Sequence, residues 1–245
     1  MSNSFIITGT SRGIGEALAK TLLDEGHYIF GISRGVSDVL MQYENYTHSM
    51  FDLSESDNIE QLLSNIFEQI DSQEIEMICL VNNAAMLEPL KPIEECQAEE
   101  ISNNLHISLI APIILSSCFI RRTETLNVRR KIVNISSGAG VHPLEDMSIY
   151  CTAKAGLNMF TSCIGVEQTA KGNPIEIIAV DPGMVETAMQ KTARGKDIED
   201  FAMAGFFKKA YINGELQSTE QLVADLKNII NKEYETGRIM NHFEG

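Results

Sequence analysis

Thr8-Gly9-Thr10-Ser11-Arg12-Gly13-Ile14-Gly15 is the stretch from which the rest of the chain can be read. It follows the apolar run Phe5-Ile6-Ile7, the pattern of a short strand buried on both faces. It leads into Ile14, Ala17, Leu18 and Leu22, which fall at helical spacing, with Gly26 as a stop signal. Glycines in such a turn let the backbone bend tightly and approach a phosphate closely. The helix behind it offers free N–H groups and the positive end of its dipole. The spacing is G-x3-G-x-G rather than the commoner G-x-G-x-x-G, and a glycine turn can also serve only to pack a helix on a strand. Position favours the phosphate reading, because this is the first turn of a chain that alternates strands and helices.

Tyr28 to Ser33, Thr47 to Asp52, Met77 to Val81, Lys131 to Ser136, Glu176 to Val180 and Arg238 to Met240 read as further strands. Between them, Ile59, Leu62, Leu63, Ile66, Phe67 and Ile70 mark an amphipathic helix, and Ile101 to Arg122, Ser148 to Lys171 and Thr219 to Glu233 mark others. This alternation predicts an α/β, doubly wound parallel sheet of Rossmann-like form, in one domain over residues 1–245. Ligands of such sheets bind at the carboxyl ends of the strands, so chemistry is expected just after Gly9, Ser33, Asp52, Asn82, Ser136 and Asp181.

The bulk numbers narrow the function. With 19 Lys+Arg against 34 Asp+Glu, the net charge of −15 argues against nucleic acid and against an anionic membrane surface as partners. No run of about 18 apolar residues is evident, and the first residues show no secretory pattern. Five cysteines, an odd number without a C-x-x-C pair, read as reduced thiols of a cytoplasmic protein. The histidines form no metal-ligand spacing, so no metal is expected.

Cofactor type is read after the second strand. An NAD site places a carboxylate there for the ribose hydroxyls, whereas an NADP site places a cation for the 2′-phosphate. Here the strand ends Gly31-Ile32-Ser33-Arg34-Gly35 with no acid. Arg34, together with Arg12 of the glycine turn, can clamp the phosphate; otherwise both are solvated surface arginines. They favour NADPH. Further on, Tyr150 and Lys154 share a helix face at i, i+4, and a nearby ammonium is expected to lower the phenol's pKa. Ser136-Ser137 lies at a strand end upstream, where a hydroxyl can hold a carbonyl oxygen beside that phenol.

With these residues in place the chain resembles the short-chain dehydrogenase/reductase family, of the compact single-domain kind. The resemblance runs nearly end to end: Thr8 to Gly15, Asp52-Leu53, Asn82-Asn83-Ala84-Ala85, Ser137, Tyr150/Lys154, and Asp181-Pro182-Gly183 followed by Thr187. Phe206-Phe207, Gly214-Glu215-Leu216 and Tyr234-Glu235-Thr236-Gly237-Arg238 resemble its sepiapterin-reductase-like branch. Within that branch the chain is similar to bacterial members that reduce benzil to (S)-benzoin. The resemblance implies that Gly9, Ser11, Arg12, Gly13, Ile14 and Gly15 line the pyrophosphate. Ser33 and Arg34 would meet the 2′-phosphate, Asp52 with Leu53 the adenine, and Asn82 with Ala84 the adenosine ribose. Pro182, Gly183, Val185 and Thr187 would contact the nicotinamide. Lys154 would bind its ribose, Ser137 orient a carbonyl, and Tyr150 donate the proton. The implied activity is NADP(H)-dependent reduction of a small-molecule ketone or α-diketone such as benzil, by a homodimer or homotetramer. The alternatives are a sepiapterin or pteridine-type ketone reductase and a catalytically silent NADPH-binding sensor.

Two positions depart from the family pattern. Ala85 replaces a glycine. Ser108, ahead of Leu109-Ile110-Ala111-Pro112, stands where the family places a catalytic Asn that anchors a water behind the Lys; alternatively Asn104, one turn earlier, is that Asn. Residues 184–214, with Met184, Met189, Phe201, Met203, Phe206 and Phe207, are expected to cover the substrate as a lid hinged at Gly195 and Gly205, or simply to pack on the sheet. His142 and Pro143 are a further candidate pocket wall.

Overall fold

Phe5, Ile6 and Ile7 are wholly buried at the centre of β1 (Ser2–Thr8) in the computed structural model, which describes residues 2–73 and 75–241. Alternation along the strands explains why both faces are apolar. Phe5 and Ile7, with Cys79 and Val81, pack against Leu18 and Leu22 of α1 (Gly13–Asp24) and Leu226 and Ile230 of α8 (Thr219–Asn231). Ile6, with Ile78 and Leu80, packs on the other face against Leu63 and Ile66 of α2 (Ile59–Phe67) and Leu115 and Phe119 of α4 (Ala111–Thr123). Burying aliphatic side chains on both faces is worth roughly 1.5–3 kcal/mol each.

The remaining strands are β2 (Tyr28–Ser33), β3 (Tyr46–Met50), β4 (Ile75–Asn82), β5 (Arg129–Ile135), β6 (Glu176–Asp181) and β7 (Arg238–Asn241). All are parallel, in the order β3-β2-β1-β4-β5-β6-β7. The order reverses between β1 and β4, so Gly9 and Asn83 emerge side by side at the switch point, where this architecture holds its ligands.

The long helix expected over Ile101 to Arg122 is divided. α3 (Ala98–Leu105) is followed by a π-helical segment, His106–Ile110, before α4 begins. Asn104 and Ser108, four residues apart, are both buried. The combined run Ala98–Thr123 has a mean hydropathy of 1.5 over its best 18-residue window, long and apolar enough to cross a membrane by those measures, contrary to the sequence expectation. Its apolar side chains instead pack on the sheet through Ala111, Leu115, Cys118 and Phe119.

α5 (Ser148–Thr169) follows β5, and the stretch beyond β6 folds into α6 (Ala188–Arg194) and α7 (Ala204–Ile212), which periodicity did not resolve. At the opposite end of the sheet, Lys131 of β5 is fully buried. Its ammonium donates to the carbonyls of Ile229 (2.7 Å) and Lys232 (2.8 Å) at the end of α8 and pairs with Glu176 of β6 at 2.6 Å. It satisfies carbonyls that the helix itself leaves open and meets the negative end of the dipole.

Candidate functional site

Two glycines make the β1–α1 turn possible. Gly9 sits at φ +77°, and a Cβ there would come within 2.8 Å of Asn83 Nδ2; a Cβ on Gly15 would overlap the Gly9 carbonyl. Gly13 faces open space, with nothing within 4 Å of where its Cβ would be. Arg12 is the N-cap residue of α1 and makes no side-chain cap hydrogen bond, so the first-turn N–H groups have no capping side chain. An open concavity walled by glycine, backed by uncapped N–H groups, fits a pyrophosphate. Ser11 and Ile14 flank it, Ile14 packing its side chain on the core. Thr8, at the head of the turn and given no role by the sequence, ties the cradle together. Its buried Oγ1 accepts from the N–H groups of Asn83 (3.0 Å) and Ala84 (2.9 Å), joining the ends of β1 and β4. Asn83 returns a bond from Nδ2 to the Thr8 carbonyl at 2.9 Å.

At the end of β2, Ser33 is buried and Arg34 is exposed. Arg34 Nη1 lies 3.5 Å from Asp52 Oδ2, a loose ion pair that a phosphate can displace. Asp52 also accepts the Ser54 N–H at 2.9 Å, and that bond, more than Arg34, holds its carboxyl below the usual range. Arg34, Met50, Phe51, Asp52 and Glu55 line a cavity of about 300 Å³. Leu53 points away into the core, and Ala84 packs against the same side. The Asn82 side chain donates inward to Asn134 Oδ1 (2.8 Å) and Ser116 Oγ (3.2 Å), and its buried Oδ1 has no partner among the described residues.

Ser137, Tyr150 and Lys154 come together at the end of β5. Ser137 starts a one-turn 3₁₀ helix, Gly138–Gly140, and its Oγ accepts the Ala139 N–H at 3.2 Å. The Ser137 hydroxyl opposes the upward shift of the Tyr150 phenol's pKa. Lys154 is 2% exposed, donates to the Ile135 carbonyl at 2.7 Å, and places Nζ 5.7 Å from the centre of the Tyr150 ring. Burial pushes the Tyr150 phenol up to about 12 and the Lys154 ammonium down to about 8. The expected lowering of the phenol's pKa by Lys154 is not found: desolvation raises the phenol and the opposing group is Ser137, not Lys154. A phenol that stays protonated is suited to donating a proton rather than accepting one.

Asn104 and Ser108 both clamp the loop after β4. Asn104 donates to the carbonyls of Met86 (2.8 Å) and Glu88 (2.7 Å), while its buried Oδ1 has no partner among the described residues. Ser108 Oγ accepts the Met86 N–H at 2.9 Å.

Beyond β6, Asp181 Oδ1 holds the turn at Gly183, and the Gln217 amide bonds the Pro182 carbonyl. Val185 is buried and bridges to Gln217, and Thr187 uses its hydroxyl to cap α6. A third apolar cluster surrounds Tyr150, made of Leu87, Leu90, Ala139, Met147, Ala193, Phe201 and Ala204, with Met203 and Phe207 packed against it. Residues of 184–214 thus share an apolar cluster with Tyr150. Glu186 and Arg194 form a two-fold ion pair at 2.7 and 2.8 Å, and Arg194 lies over the Tyr211 ring at 4.0 Å. His142 lies in an exposed loop.

A parallel sheet with a glycine-walled turn at its switch point, beside buried Tyr150 and Lys154 and half-buried Ser137, fits a nucleotide-dependent oxidoreductase. The profile of the short chain dehydrogenases matches residues 3–197, and the chain belongs to this family of nicotinamide-dependent enzymes acting on CH–OH/C=O groups. A benzil reductase ((S)-benzoin forming) of Bacillus cereus is 39% identical over 234 residues, covering 93% of this chain and 94% of the relative. One of the same description from Bacillus subtilis is 35% identical, covering 96% of each. A short chain dehydrogenase/reductase structure from Saccharomyces cerevisiae superposes with a TM-score of 0.85 at 20% identity, over 98% of this chain and 96% of that one. A 4-hydroxyisoleucine dehydrogenase complexed with NADH superposes at 0.80 and 20% identity, over 98% of this chain and 96% of that one. ElxO with NADP bound does so at 0.79 and 21%, over 98% and 97%. The same fold accommodates either cofactor.

Proposed function

We propose that this chain is an NADPH-dependent carbonyl reductase that reduces a ketone or α-diketone of the benzil type, with Tyr150 as proton donor. The observation that carries the reading is the buried Tyr150–Lys154 pair at the end of β5, with the half-buried Ser137 hydroxyl acting on the phenol and Tyr150 in one apolar cluster with Phe201. A bound nicotinamide supplies the hydride. Ser137 and Tyr150 together hold the carbonyl oxygen, and Tyr150 passes its proton to that oxygen as the carbon is reduced. Acid catalysis by a positioned group is typically worth about 10²–10⁴ in rate. Lys154 holds the ribose and, when protonated, favours the phenolate left behind. The stacked Phe201–Phe207 pair, 6.0 Å between centres, gives an aromatic wall suited to an aryl ketone. Similarity to the two Bacillus benzil reductases supports the diketone class. Arg34, with no acid closing β2, supports the 2′-phosphate over a free ribose hydroxyl.

The test is NADPH oxidation with benzil, beside NADH and beside Tyr150→Phe. Turnover with NADPH that falls at least 10²-fold in the mutant supports the reading. A mutant that turns over like the parent removes Tyr150 from the role.

A second reading, a silent NADPH-binding sensor, draws on Ser108, whose hydroxyl is occupied by the Met86 N–H. It predicts NADPH binding with no turnover of any ketone. Three unpaired surface or half-buried thiols, Cys96, Cys151 and Cys163, suit a reducing compartment, and we place the protein in the cytoplasm.

A further inference from the structure

Beneath the end of β2 lies a line of hydroxyls that the reaction does not use. Thr10 is fully buried, and its Oγ1 lies 3.3 Å from Ser33 Oγ and 3.1 Å from Tyr46 Oη. Tyr46 Oη lies 3.3 Å from His48 Nδ1. The register of β2 with β3 aligns Gly31 with His48 and Ile29 with Tyr46, so Ser33, Tyr46 and His48 share one sheet face. Gly31 leaves the gap through which they meet. A Cβ there would overlap the Tyr46 hydroxyl and lie 2.6 Å from Thr10 Oγ1.

The donors in this line can be assigned one by one. Ser33 donates to the Gly35 carbonyl at 2.8 Å. Its oxygen is then free to accept from Thr10, Thr10 to accept from Tyr46, and Tyr46 to accept from His48 Nδ1–H. Each hydroxyl has one proton to give, so the order is forced once Ser33 is placed. It leaves His48 Nε2 as the unprotonated nitrogen, and that atom is buried with no hydrogen-bond partner among the described residues. The chain of donors is therefore polarised in one direction and ends on the Ser33 hydroxyl, beside Arg34. Hydrogen bonds in such a chain strengthen one another.

We propose that Thr10, Tyr46 and His48 are positioning residues for the nucleotide's 2′-phosphate: with Thr10 already donating to it, Ser33 can only give its proton onward, and that proton turns from the Gly35 carbonyl to the anion. This rests on the NADPH reading above. Ser33 and Arg34 would touch the phosphate; Tyr46 and His48 act only through Ser33.

The test is calorimetric binding of adenosine 2′,5′-bisphosphate and of 5′-AMP, with no turnover involved. The wild type is expected to prefer the bisphosphate; if it does not, the NADPH reading fails and the relay falls with it. Tyr46→Phe keeps the ring and removes the hydroxyl. It is expected to weaken the bisphosphate about fivefold, the worth of one hydrogen bond, and to change 5′-AMP less than twofold. Equal weakening of both ligands, or of neither, overturns the relay while leaving the cofactor reading intact. Should Tyr46→Phe unfold, His48→Leu and His48→Gln decide. Gln can donate an amide proton where Leu cannot, so the relay requires selective loss in the first and recovery in the second. A matched pair of Leu and Gln results overturns it.

Discussion

Lys154 is a lysine whose folded environment favours its neutral form, and this has a measurable sign. Between its folded value of about 8 and its ordinary 10.5, the native chain has lost a proton that the unfolded chain still holds. Stability contributed by this group therefore rises with pH across that window. Urea unfolding at pH 7.5 and 9.5 should show a gain of about 1–2 kcal/mol that is absent in Lys154→Met. Tyr150 acts oppositely and later: its phenol titrates near 12 when folded, so its contribution falls only above about 10. At the cofactor end, Arg34→Asp should weaken NADPH by at least tenfold while leaving NADH binding within twofold, measured by fluorescence titration. Equal loss for both would remove Arg34 from the 2′-phosphate. The Tyr150/Lys154 pair and the glycine turn were legible in the sequence because their chemistry depends on local spacing. The bonds of Thr8 and Tyr46 were not, since their partners Asn83 and Thr10 sit 75 and 36 residues away and only the folded sheet brings them together, while His48 meets Tyr46 as its i+2 neighbour on one strand face. The inward bonds of Asn82 were hidden for a related reason: its neighbours in the core, Asn134 and Ser116, come from a strand and a helix later in the chain.

Elements with one strong period were readable, and those held by tertiary contacts were not. β2 matches its expected bounds because Tyr28-Ile29-Phe30 follows a clear stop at Gly26. The π-helical turn at His106–Ile110 carries no signal of its own in residue type, and it breaks a helix that periodicity alone makes continuous. α6 and α7 are short and are fixed partly by ion pairing, which hydropathy does not register. Glu186 joins the loop after β6 to Arg194 of α6, and Arg194 lies on Tyr211 of α7. Arg194→Met removes this link from outside the phenol's surroundings. It should speed amide exchange in α6 and α7 and raise KM severalfold with kcat within twofold, since the Ser137–Tyr150–Lys154 group is untouched. Unchanged exchange would show that the Phe201 cluster alone holds these helices down.

At the scale of the whole molecule, α5 presents Met159, Cys163 and Val166 outward, with Met159 and Val166 largely exposed. Such apolar exposure on a long helix is a feature of interaction surfaces. We expect two copies to pair through α4 and α5. Light scattering after size exclusion should give a dimer or tetramer, and Met159→Glu with Val166→Glu should reduce its size while leaving the fold's circular dichroism unchanged. A parent that runs as a 27.2 kDa monomer would refute this.

Lys131 has a further consequence for how the chain is held in one piece. Its ammonium bolts the end of α8 to β5 and β6, α8 packs on α1, and β7 pairs with β6. Every one of these joins links residues after the 184–214 stretch to residues before it. A cut at Gly195 or Gly205 would thus sever the backbone without releasing either half. The polypeptide is one thread, but the segments on either side of residues 184–214 are stitched together independently of that stretch, so a change within it leaves the body of the sheet assembled.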